Sequence, residues 1–392
     1  MPIDIDRVRN ETPACVNLIH FNNAGDSLSP QPVIQAITDH LHLEARIGGY
    51  EAEDAARGTL DQFYRATAEL IGSKEGEIAY IENATRAWDM AFYSIPLERG
   101  DEILTHESEY ASNFLAYIQQ ARRHGLKIRV VPSDKFGQID VEALESMINP
   151  RSRLISINHI PTQSGLVNPA DKVGAIARKH GLFYLLDACQ SVGQMPVDVE
   201  SIQCDLLSAT GRKFLRGPRG TGFLYVRDSI LEQLDPPFID LHSAKWIDKD
   251  NFKFIDGTKR FENWESYVAG RIGLTRAIEY ALDIGLENIQ DRINHLSSSL
   301  RSSLSSIPGV TVRDPGEQQC AIVTFDKADE AAADMVNRLR QKNINISFTT
   351  GASARLDKRF SDSGINFARA SVHYFNTDEE IVHFCSVVAD QF

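Results

Sequence analysis

Short apolar runs alternate with amphipathic segments between residues 33 and 226. The amphipathic segments repeat mainly apolar side chains at spacings of three and four, as at Leu60, Phe63, Thr67 and Leu70, which predicts helices. The apolar runs are short and nearly continuous, which is typical of strands buried on both faces of a parallel sheet. We predict strands at 77–81, 101–105, 127–131, 153–157, 182–186, 205–208 and 223–226, and helices at 33–48, 55–71, 85–94, 112–124, 141–147 and 170–180. This alternation predicts an α/β domain with a mostly parallel sheet and helices on both of its faces.

The pattern changes after residue 235. Residues 235–259 are irregular and rich in Asp, Lys and Phe, which predicts a loop or a hairpin, and two long helices follow at 267–284 and 286–306. The remaining pattern predicts a small α+β domain, with strands at 310–312, 320–325, 344–347 and 368–372 and helices at 331–342 and from 378 onward. We therefore divide the chain into an N-terminal arm (1–25) that returns to the small domain, a large domain (26–284) and the small domain (285–392).

Composition narrows the possible functions. Apolar residues form 42% and charged residues 24% of the 392 residues, as in ordinary folded proteins. The net charge of −13 argues against nucleic acid or an anionic membrane as a partner, because both bind clustered Lys and Arg. No apolar stretch approaches the ~20 residues of a membrane span, and residues 1–11 lack the apolar core of a signal peptide. The five cysteines form no C-x-x-C pair and the histidines no H-x-x-x-H pair, so we expect a cytoplasmic protein without a metal.

Two polar residues near the ends of apolar runs are the strongest candidates for chemistry. Asp187 ends the run at 182–186, and Lys213 follows Thr210, Gly211 and Arg212 on a glycine-rich reversal. Polar residues at the carboxyl ends of parallel strands face a ligand crevice. Pyridoxal phosphate requires an acid for its pyridinium nitrogen and an amine for its aldehyde, and this pair supplies both.

Other residues have both a structural and a functional interpretation. Asn83, Ala84 and Thr85 lie between a predicted strand and a helix, where they would either cap the helix or bind a phosphate. Arg369 stands inside an apolar run, where a guanidinium needs an acid partner or a carboxylate ligand. The glycines at 217–222 precede a strand and no helix, which argues against a dinucleotide-binding loop.

With these residues in place, the chain resembles the aminotransferase class V group of fold-type I pyridoxal phosphate enzymes. That group includes cysteine desulfurases, C–S lyases, kynureninase and isopenicillin N epimerase-like proteins. The resemblance runs from residues 21–25 to 369–377, and its most specific part is Asp187-x-x-Gln190 followed by 210–213 and Gly217-Pro218. It implies a fold-type I architecture, with a mostly parallel seven-stranded-type sheet in the large domain and a small α+β domain.

The resemblance also implies roles in binding the cofactor. Lys213 would form the internal Schiff base and move the α-proton, and Asp187 would pair with the pyridinium nitrogen. Gln190 and Thr162 would lie near the phenolic oxygen. Tyr110 takes the place of the residue that stacks on the ring, which is usually a histidine in desulfurases. The phosphate would be held by Ala84, Thr85, Thr210 and Arg212.

The substrate and the oligomer are implied in the same way. Arg369 would bind the α-carboxylate of an amino-acid substrate, with Asn23 nearby. The family is typically a homodimer with active sites at the subunit interface, and residues 261–265 fall in the segment that reaches the neighbouring subunit. That segment lacks the usual Gly-Thr pair, so no residue is assigned there.

The reaction is narrowed by one departure from the family. Desulfurases carry a nucleophilic Cys on a small-domain loop, and the matching loop here, residues 349–355, contains none. Three reactions through an external aldimine and a carbanion then stay open. We favour a C–S-type lyase that acts by β-elimination, with an aminotransferase as the alternative and an epimerase after them. A desulfurase is disfavoured because the loop lacks the cysteine.

Overall fold

The computed structural model describes residues 3–358 and 366–390. Residues 1–2, 359–365 and 391–392, which belong to the predicted arm and small domain, lie outside the described residues. Within the described ranges, none of the helices combines the length and the apolar character needed to cross a membrane.

Fifteen strands are described. They are β1 (Ile19–His20), β2 (Ile78–Ile81), β3 (Glu102–His106), β4 (Lys127–Val131), β5 (Ser152–Asn158), β6 (Phe183–Asp187), β7 (Leu206–Thr210), β8 (Gly222–Val226), β9 (Ala244–Asp248), β10 (Asn251–Phe254), β11 (Val310–Val312), β12 (Ile322–Lys327), β13 (Ile344–Asn345), β14 (Ser347–Thr349) and β15 (Phe367–Ser371).

The α-helices of the described residues connect these strands. They are α1 (Ile5–Asn10), α2 (Gln31–Ile47), α3 (Gly49–Ala55), α4 (Arg57–Ile71), α5 (Ala84–Ser94), α6 (Ala111–His124), α7 (Val141–Met147), α8 (Ala170–His180), α9 (Val199–Ile202), α10 (Val268–Ile284), α11 (Leu286–Ser305), α12 (Ala332–Gln341) and α13 (Asp378–Ala389).

The main sheet has seven strands in the order β2-β8-β7-β6-β5-β3-β4. Strand β8 runs in the direction opposite to the other six strands, so the predicted α/β fold with a mostly parallel sheet is confirmed. Strands β2, β3, β7 and β8 are buried along their whole length, as their continuous apolar runs predict. The carboxyl ends of β5, β6 and β7 therefore meet at one edge of the sheet.

A second sheet lies in the C-terminal third of the chain. It has four antiparallel strands in the order β11-β12-β15-β14. The N-terminal segment joins this region, because β1 pairs in parallel with β13 and Asn22 bridges to Ser371 at the end of β15. The domain limits at residues 25 and 284 stay a prediction.

Some element boundaries differ from the predicted ones. Helix α3 was not predicted, because only Ala52 is buried along it and it gives no amphipathic pattern. The predicted helix 55–71 begins instead at Arg57. The irregular stretch 235–259 contains the exposed hairpin β9–β10. The predicted strand 344–347 is split into β13 and β14, which pair with different neighbours.

Candidate active site

Three neighbouring parallel strands end in polar side chains at the same edge of the main sheet. Asn158 ends β5, Asp187 ends β6 and Thr210 ends β7, and Asn158 is paired in register with Asp187. All three are more than nine-tenths buried. Buried polar groups that no secondary structure requires are a sign of a ligand site.

These strand ends line one pocket together with residues from the loops and helices around them. Every site residue predicted from the sequence lines it except Arg369 and Asn23. The lining residues are Asn83, Ala84, Thr85, Tyr110, Asn113, Asn158, Ile160, Thr162, Asp187, Cys189, Gln190, Thr210, Arg212 and Lys213.

Asp187 is held from two sides. Its Oδ1 accepts a hydrogen bond from the backbone N–H of Cys189 at 3.0 Å, and its Oδ2 accepts one from Nδ2 of Asn113 at 3.1 Å. No Lys, Arg or His among the described residues forms an ion pair with it. A buried carboxylate without a cationic partner from the described residues is suited to bind a positively charged atom of a ligand.

Lys213 stands on the turn that follows β7. Burial lowers the pKa of its amine, and the nearby Arg212 and Arg369 lower it further, whereas Cys189 and Asp187 act in the opposite direction. A lowered pKa increases the fraction of neutral amine, which is the form that attacks a carbonyl and accepts a proton.

The start of α5 has the geometry of an anion-binding helix N-terminus. Asn83 caps the helix, and its Oδ1 accepts a hydrogen bond from the N–H of Arg86 at 3.0 Å. The N–H groups of Ala84 and Thr85 lie in the first turn, where a helix leaves such groups without an intrahelical partner. A Cβ at Gly222 would lie 2.5 Å from the Ala209 carbonyl oxygen and 3.3 Å from the Ala84 nitrogen, so a glycine is required for this close approach.

Arg212 and Thr210 face the same pocket. The Nη1 group of Arg212 donates to the backbone carbonyl of Gly25, so this side chain links the N-terminal arm to the pocket wall. The guanidinium and the Thr210 hydroxyl complement the helix N-terminus as donors for a phosphate.

Thr162 connects Gln190 with Arg369. Its Oγ1 accepts hydrogen bonds from Nη1 of Arg369 at 2.7 Å and from Nε2 of Gln190 at 3.1 Å. Nε of Arg369 and Oε1 of Gln190 are buried and have no hydrogen-bond partner among the described residues. Burial, with a contribution from Arg212, lowers the pKa of Arg369 to about 10, which reflects a desolvated cation. Arg369 does not line the pocket itself but reaches it through Thr162.

Tyr110 and Asn23 have different environments. Tyr110 precedes α6, lines the pocket and is 36% exposed, so its ring is available to a ligand. Asn23 is fully buried: its Nδ2 donates to the carbonyls of His20 and Ser371, and its Oδ1 accepts from the Ser27 hydroxyl. Asn23 therefore holds the arm against β15, and the structure gives its predicted substrate contact no support.

Sequence reasoning missed three polar residues around Asp187. Asn158 ends a strand at the same edge as Asp187, so the strand-end rule alone identifies it in retrospect. Asn113 and Glu109 lie at and before the start of α6, and nothing in the sequence pairs them with residue 187. Cys189 lines the pocket between Asp187 and Gln190.

The pocket fits pyridoxal phosphate on chemical grounds. It offers an amine of lowered pKa, a carboxylate without a cation, a helix N-terminus with hydroxyl and guanidinium donors, and a buried unpartnered Oε1 on Gln190. Among residues 3–358 and 366–390, no cluster of His, Cys, Asp or Glu side chains has the arrangement of a metal site. This fold and this set of side chains define a pyridoxal-phosphate-dependent enzyme of fold type I.

The family follows from comparison with known proteins. The family model for aminotransferase class V matches residues 19–384, and the chain belongs to that family. It is 30% identical to a probable cysteine desulfurase of Synechocystis, over 93% of this chain and 88% of that protein. It is 28% identical to a probable cysteine desulfurase of Methanothermobacter thermautotrophicus, over 95% and 94% of the two chains.

Solved structures show the same fold. The cysteine desulfurase of Thermococcus onnurineus in its apo form matches with a TM-score of 0.91 and 27% identity, over 99% of this chain and 98% of that one. The cystine C–S lyase C-DES, in complex with its reaction product cysteine persulfide, matches with a TM-score of 0.87 and 25% identity, over 97% and 99% of the two chains.

Proposed function

We propose that this enzyme is a carbon–sulfur lyase that removes the thiol group, free or substituted, from the β-carbon of an amino acid by β-elimination. The Cα–H and Cβ–S bonds break, the sulfur leaves as hydrogen sulfide, a thiol or a persulfide, and water converts the remaining three-carbon fragment to pyruvate and ammonia. The two names found among the relatives, cysteine desulfurase and cystine C–S lyase, both describe cleavage of this bond and support this substrate class.

The cofactor would be held by the residues described above. Bound pyridoxal phosphate supplies an aldehyde that condenses with amines and a ring that accepts the electrons released at the α-carbon. Asp187 faces the pocket with Oδ2 and would bind the ring nitrogen, and the phosphate would lie at Ala84, Thr85, Thr210 and Arg212.

Lys213 and Arg369 would act on the substrate. The neutral amine of Lys213 accepts the α-proton at Nζ and returns a proton to the departing sulfur, for which its lowered pKa suits it. Within the described part of the chain, Arg369 donates only to neutral oxygens of Thr162, so its charge is left for the substrate carboxylate.

The loop after β14 carries the choice between elimination and transfer of sulfur to the protein. Gln163, the neighbour of Thr162, donates from Nε2 to the carbonyl of Ser353 at 3.1 Å, so residues 349–355 lie against the site. This loop contains no cysteine. Cys320 lies in the core, where burial raises the pKa of its thiol to about 12, so it does not supply a thiolate.

The decisive experiment follows the products. The holoenzyme is incubated with cystine, cysteine and alanine, and pyruvate, ammonia and pyridoxamine phosphate are measured. We expect pyruvate and ammonia in equal amounts from the sulfur-containing amino acids, and the same yield from a Cys320→Ala variant. Accumulation of pyridoxamine phosphate without pyruvate would instead identify an aminotransferase.

The role of Lys213 is tested by replacement. A Lys213→Ala variant should lose at least about a thousandfold in turnover, because one group supplies both the amine for the cofactor and the acid–base catalyst. It should also lose the absorbance band near the visible edge that the cofactor shows when bound to a lysine. A Lys213→Ala variant that keeps a tenth of the turnover would contradict the assignment.

A homodimer is part of the same proposal. Apolar side chains stand exposed on and around the hairpin β9–β10, among them Leu241 (74%), Trp246 (73%) and Trp264 (61%). Exposed aromatic clusters of this kind are typical of subunit interfaces. Light scattering should give twice the chain mass for the wild type and a smaller species for Trp246→Glu, whereas a monomeric wild type would refute the proposal.

A further inference from the structure

Glu109 is a buried carboxylate to which the proposed reaction assigns no task. It lies in the loop between β3 and α6, is 5% exposed and does not line the pocket. Four donors surround it: Oε1 accepts from the N–H of Tyr110 (2.7 Å) and Nδ2 of Asn113 (3.1 Å), and Oε2 accepts from the hydroxyls of Thr105 (2.9 Å) and Tyr117 (3.0 Å). None of the ion pairs found within residues 3–358 and 366–390 involves it. The four donors favour the ionised form of Glu109, whereas its burial without a cation opposes that form.

Asn113 joins this carboxylate to the site. Its single Nδ2 group lies 3.1 Å from Oε1 of Glu109 and 3.1 Å from Oδ2 of Asp187. An amide nitrogen carries two hydrogens, so one hydrogen goes to each carboxylate. The orientation of the amide is thereby fixed: its NH₂ group must point between the two acids, and Oδ2 of Asp187 is held toward it.

The two acids also act on each other electrostatically. Burial and the negative charge of Asp187 raise the pKa of Glu109 to about 7, against the effect of the donors at Tyr110, Thr105 and Asn113. Two buried carboxylates linked by one amide are unfavourable without a positive charge. In this pocket, a cation at Oδ2 of Asp187 would relieve the repulsion.

A purely structural role for Glu109 explains part of this geometry. An acid before a helix stabilises the first turn, and the bonds to Tyr110 and Asn113 are of that kind. It does not explain why the same Asn113 hydrogen-bonds to the acid at the end of β6, nor why Thr105 and Tyr117 direct hydroxyls at the other oxygen.

We propose that Glu109 is a positioning residue, which acts through the Asn113 amide to orient Asp187 and places a second negative charge behind it, so that Asp187 binds a protonated ring nitrogen more tightly. This inference rests on the role proposed above for Asp187. It makes Glu109, Asn113 and Asp187 one hydrogen-bonded unit.

The test variant is Glu109→Gln. Its amide oxygen can accept from Tyr110 and Asn113, and its NH₂ group can donate to the hydroxyls of Thr105 and Tyr117, because a hydroxyl also accepts. The variant therefore removes the charge and keeps the packing. The matched control is Glu77→Gln, since Glu77 is 2% exposed and accepts from the backbone N–H groups of Lys74 and Asp228, at the other end of β2 from the pocket.

The experiment measures how much the ring nitrogen of the cofactor contributes to binding. The full-length apoprotein is titrated with pyridoxal phosphate and with an analogue in which carbon replaces that nitrogen, and the ratio of the two dissociation constants is taken. We expect the wild type and Glu77→Gln to prefer pyridoxal phosphate, and Glu109→Gln to lose roughly tenfold of that preference, as removal of a neighbouring charge does. The affinity for the carbon analogue should change less than twofold.

The other outcomes separate the two proposals. No preference in the wild type would refute the role of Asp187, and this inference with it. An undiminished preference in Glu109→Gln, or an equal loss of affinity for both ligands, would overturn the inference alone. If Glu109→Gln does not fold, Asn113→Ala decides: it breaks the link to Asp187, so a retained preference overturns the inference and a lost one supports it.

Discussion

Two buried arginines in this enzyme have opposite surroundings. Arg216, just after the Lys213 turn, is 1% exposed and donates from Nε to Leu28 (2.8 Å), from Nη1 to the Tyr374 hydroxyl (2.7 Å) and from Nη2 to the Thr12 hydroxyl (2.5 Å). Its guanidinium also lies 4.5 Å from the centre of the Phe375 ring. Among residues 3–358 and 366–390, Arg369 in β15 is bound by Thr162 alone, through Nη1, and its Nε has no partner.

We interpret this as the difference between a structural cation, Arg216, and the substrate-binding cation proposed above, Arg369. The partners of Arg216 are Thr12 in the N-terminal arm, Leu28 just after the arm and Tyr374 in the C-terminal part of the chain, so this side chain joins these segments to the Lys213 turn. Its backbone has φ +60°, which is uncommon for a residue with a side chain and is kept because the surroundings require it. Arg369 has no comparable set, which leaves its charge for an anion from outside the protein.

Replacement of Arg216 should have the largest effect on stability. An Arg216→Met variant leaves the Leu28 carbonyl and the hydroxyls of Tyr374 and Thr12 without a buried donor, at about 1–3 kcal/mol for each such group. We expect the free energy of unfolding, measured with urea, to fall by about 3 kcal/mol or more. A change below about 1 kcal/mol would show that Arg216 does not hold these segments together.

Replacement of Arg369 should weaken substrate binding and leave stability nearly unchanged. An Arg369→Met variant removes a desolvated cation without leaving buried acceptors other than those of Thr162, so the free energy of unfolding should change little. KM for the amino acid should rise roughly 30- to 100-fold, which corresponds to the ~2–3 kcal/mol of a lost charge-assisted contact. An unchanged KM together with a marked loss of stability would make Arg369 a second structural arginine.

Acid sensitivity should come in part from His159, at the end of β5. Burial lowers the pKa of His159 to about 4, below its ordinary value of 6.5, so its neutral form stabilises the fold above pH 6.5 and that stabilisation is lost as the pH falls toward 4. Between pH 7 and pH 5 this amounts to about 2 kcal/mol in the free energy of unfolding. Between pH 7 and pH 5, the free energy of unfolding should therefore fall by about 2 kcal/mol less in a His159→Gln variant than in the wild type. The exposed control His124→Gln should show the same fall as the wild type. An identical pH dependence in His159→Gln would refute this.

The sequence predicted the parts of the site that follow from local patterns. Asp187 and Lys213 were found because strand ends at one edge of a parallel sheet face a common crevice, and the structure places both in the pocket lining. Ala84 and Thr85 were found because a strand followed by a helix creates a helix N-terminus. Each of these patterns spans only a few consecutive residues, so it can be recognised without knowing the tertiary contacts.

The remainder depends on contacts between distant segments. The family resemblance placed Asn23 near the substrate, but its amide is hydrogen-bonded to His20, Ser27 and Ser371. Glu109 and Asn113 became part of the site only because the start of α6 lies against the end of β6. No pattern in the sequence shows that Asn23 is bonded to distant residues or that the start of α6 contacts the end of β6. The domain limits, the homodimer and the cytoplasmic location stay predictions.

The central claim is that Lys213 carries the cofactor, and one measurement tests it most directly. The purified holoenzyme is reduced with borohydride, which fixes a cofactor bound to an amine, and is then digested and analysed by mass spectrometry. The account predicts a reduced cofactor on Lys213, at close to one per chain. A cofactor found on another lysine, or on none, would contradict it.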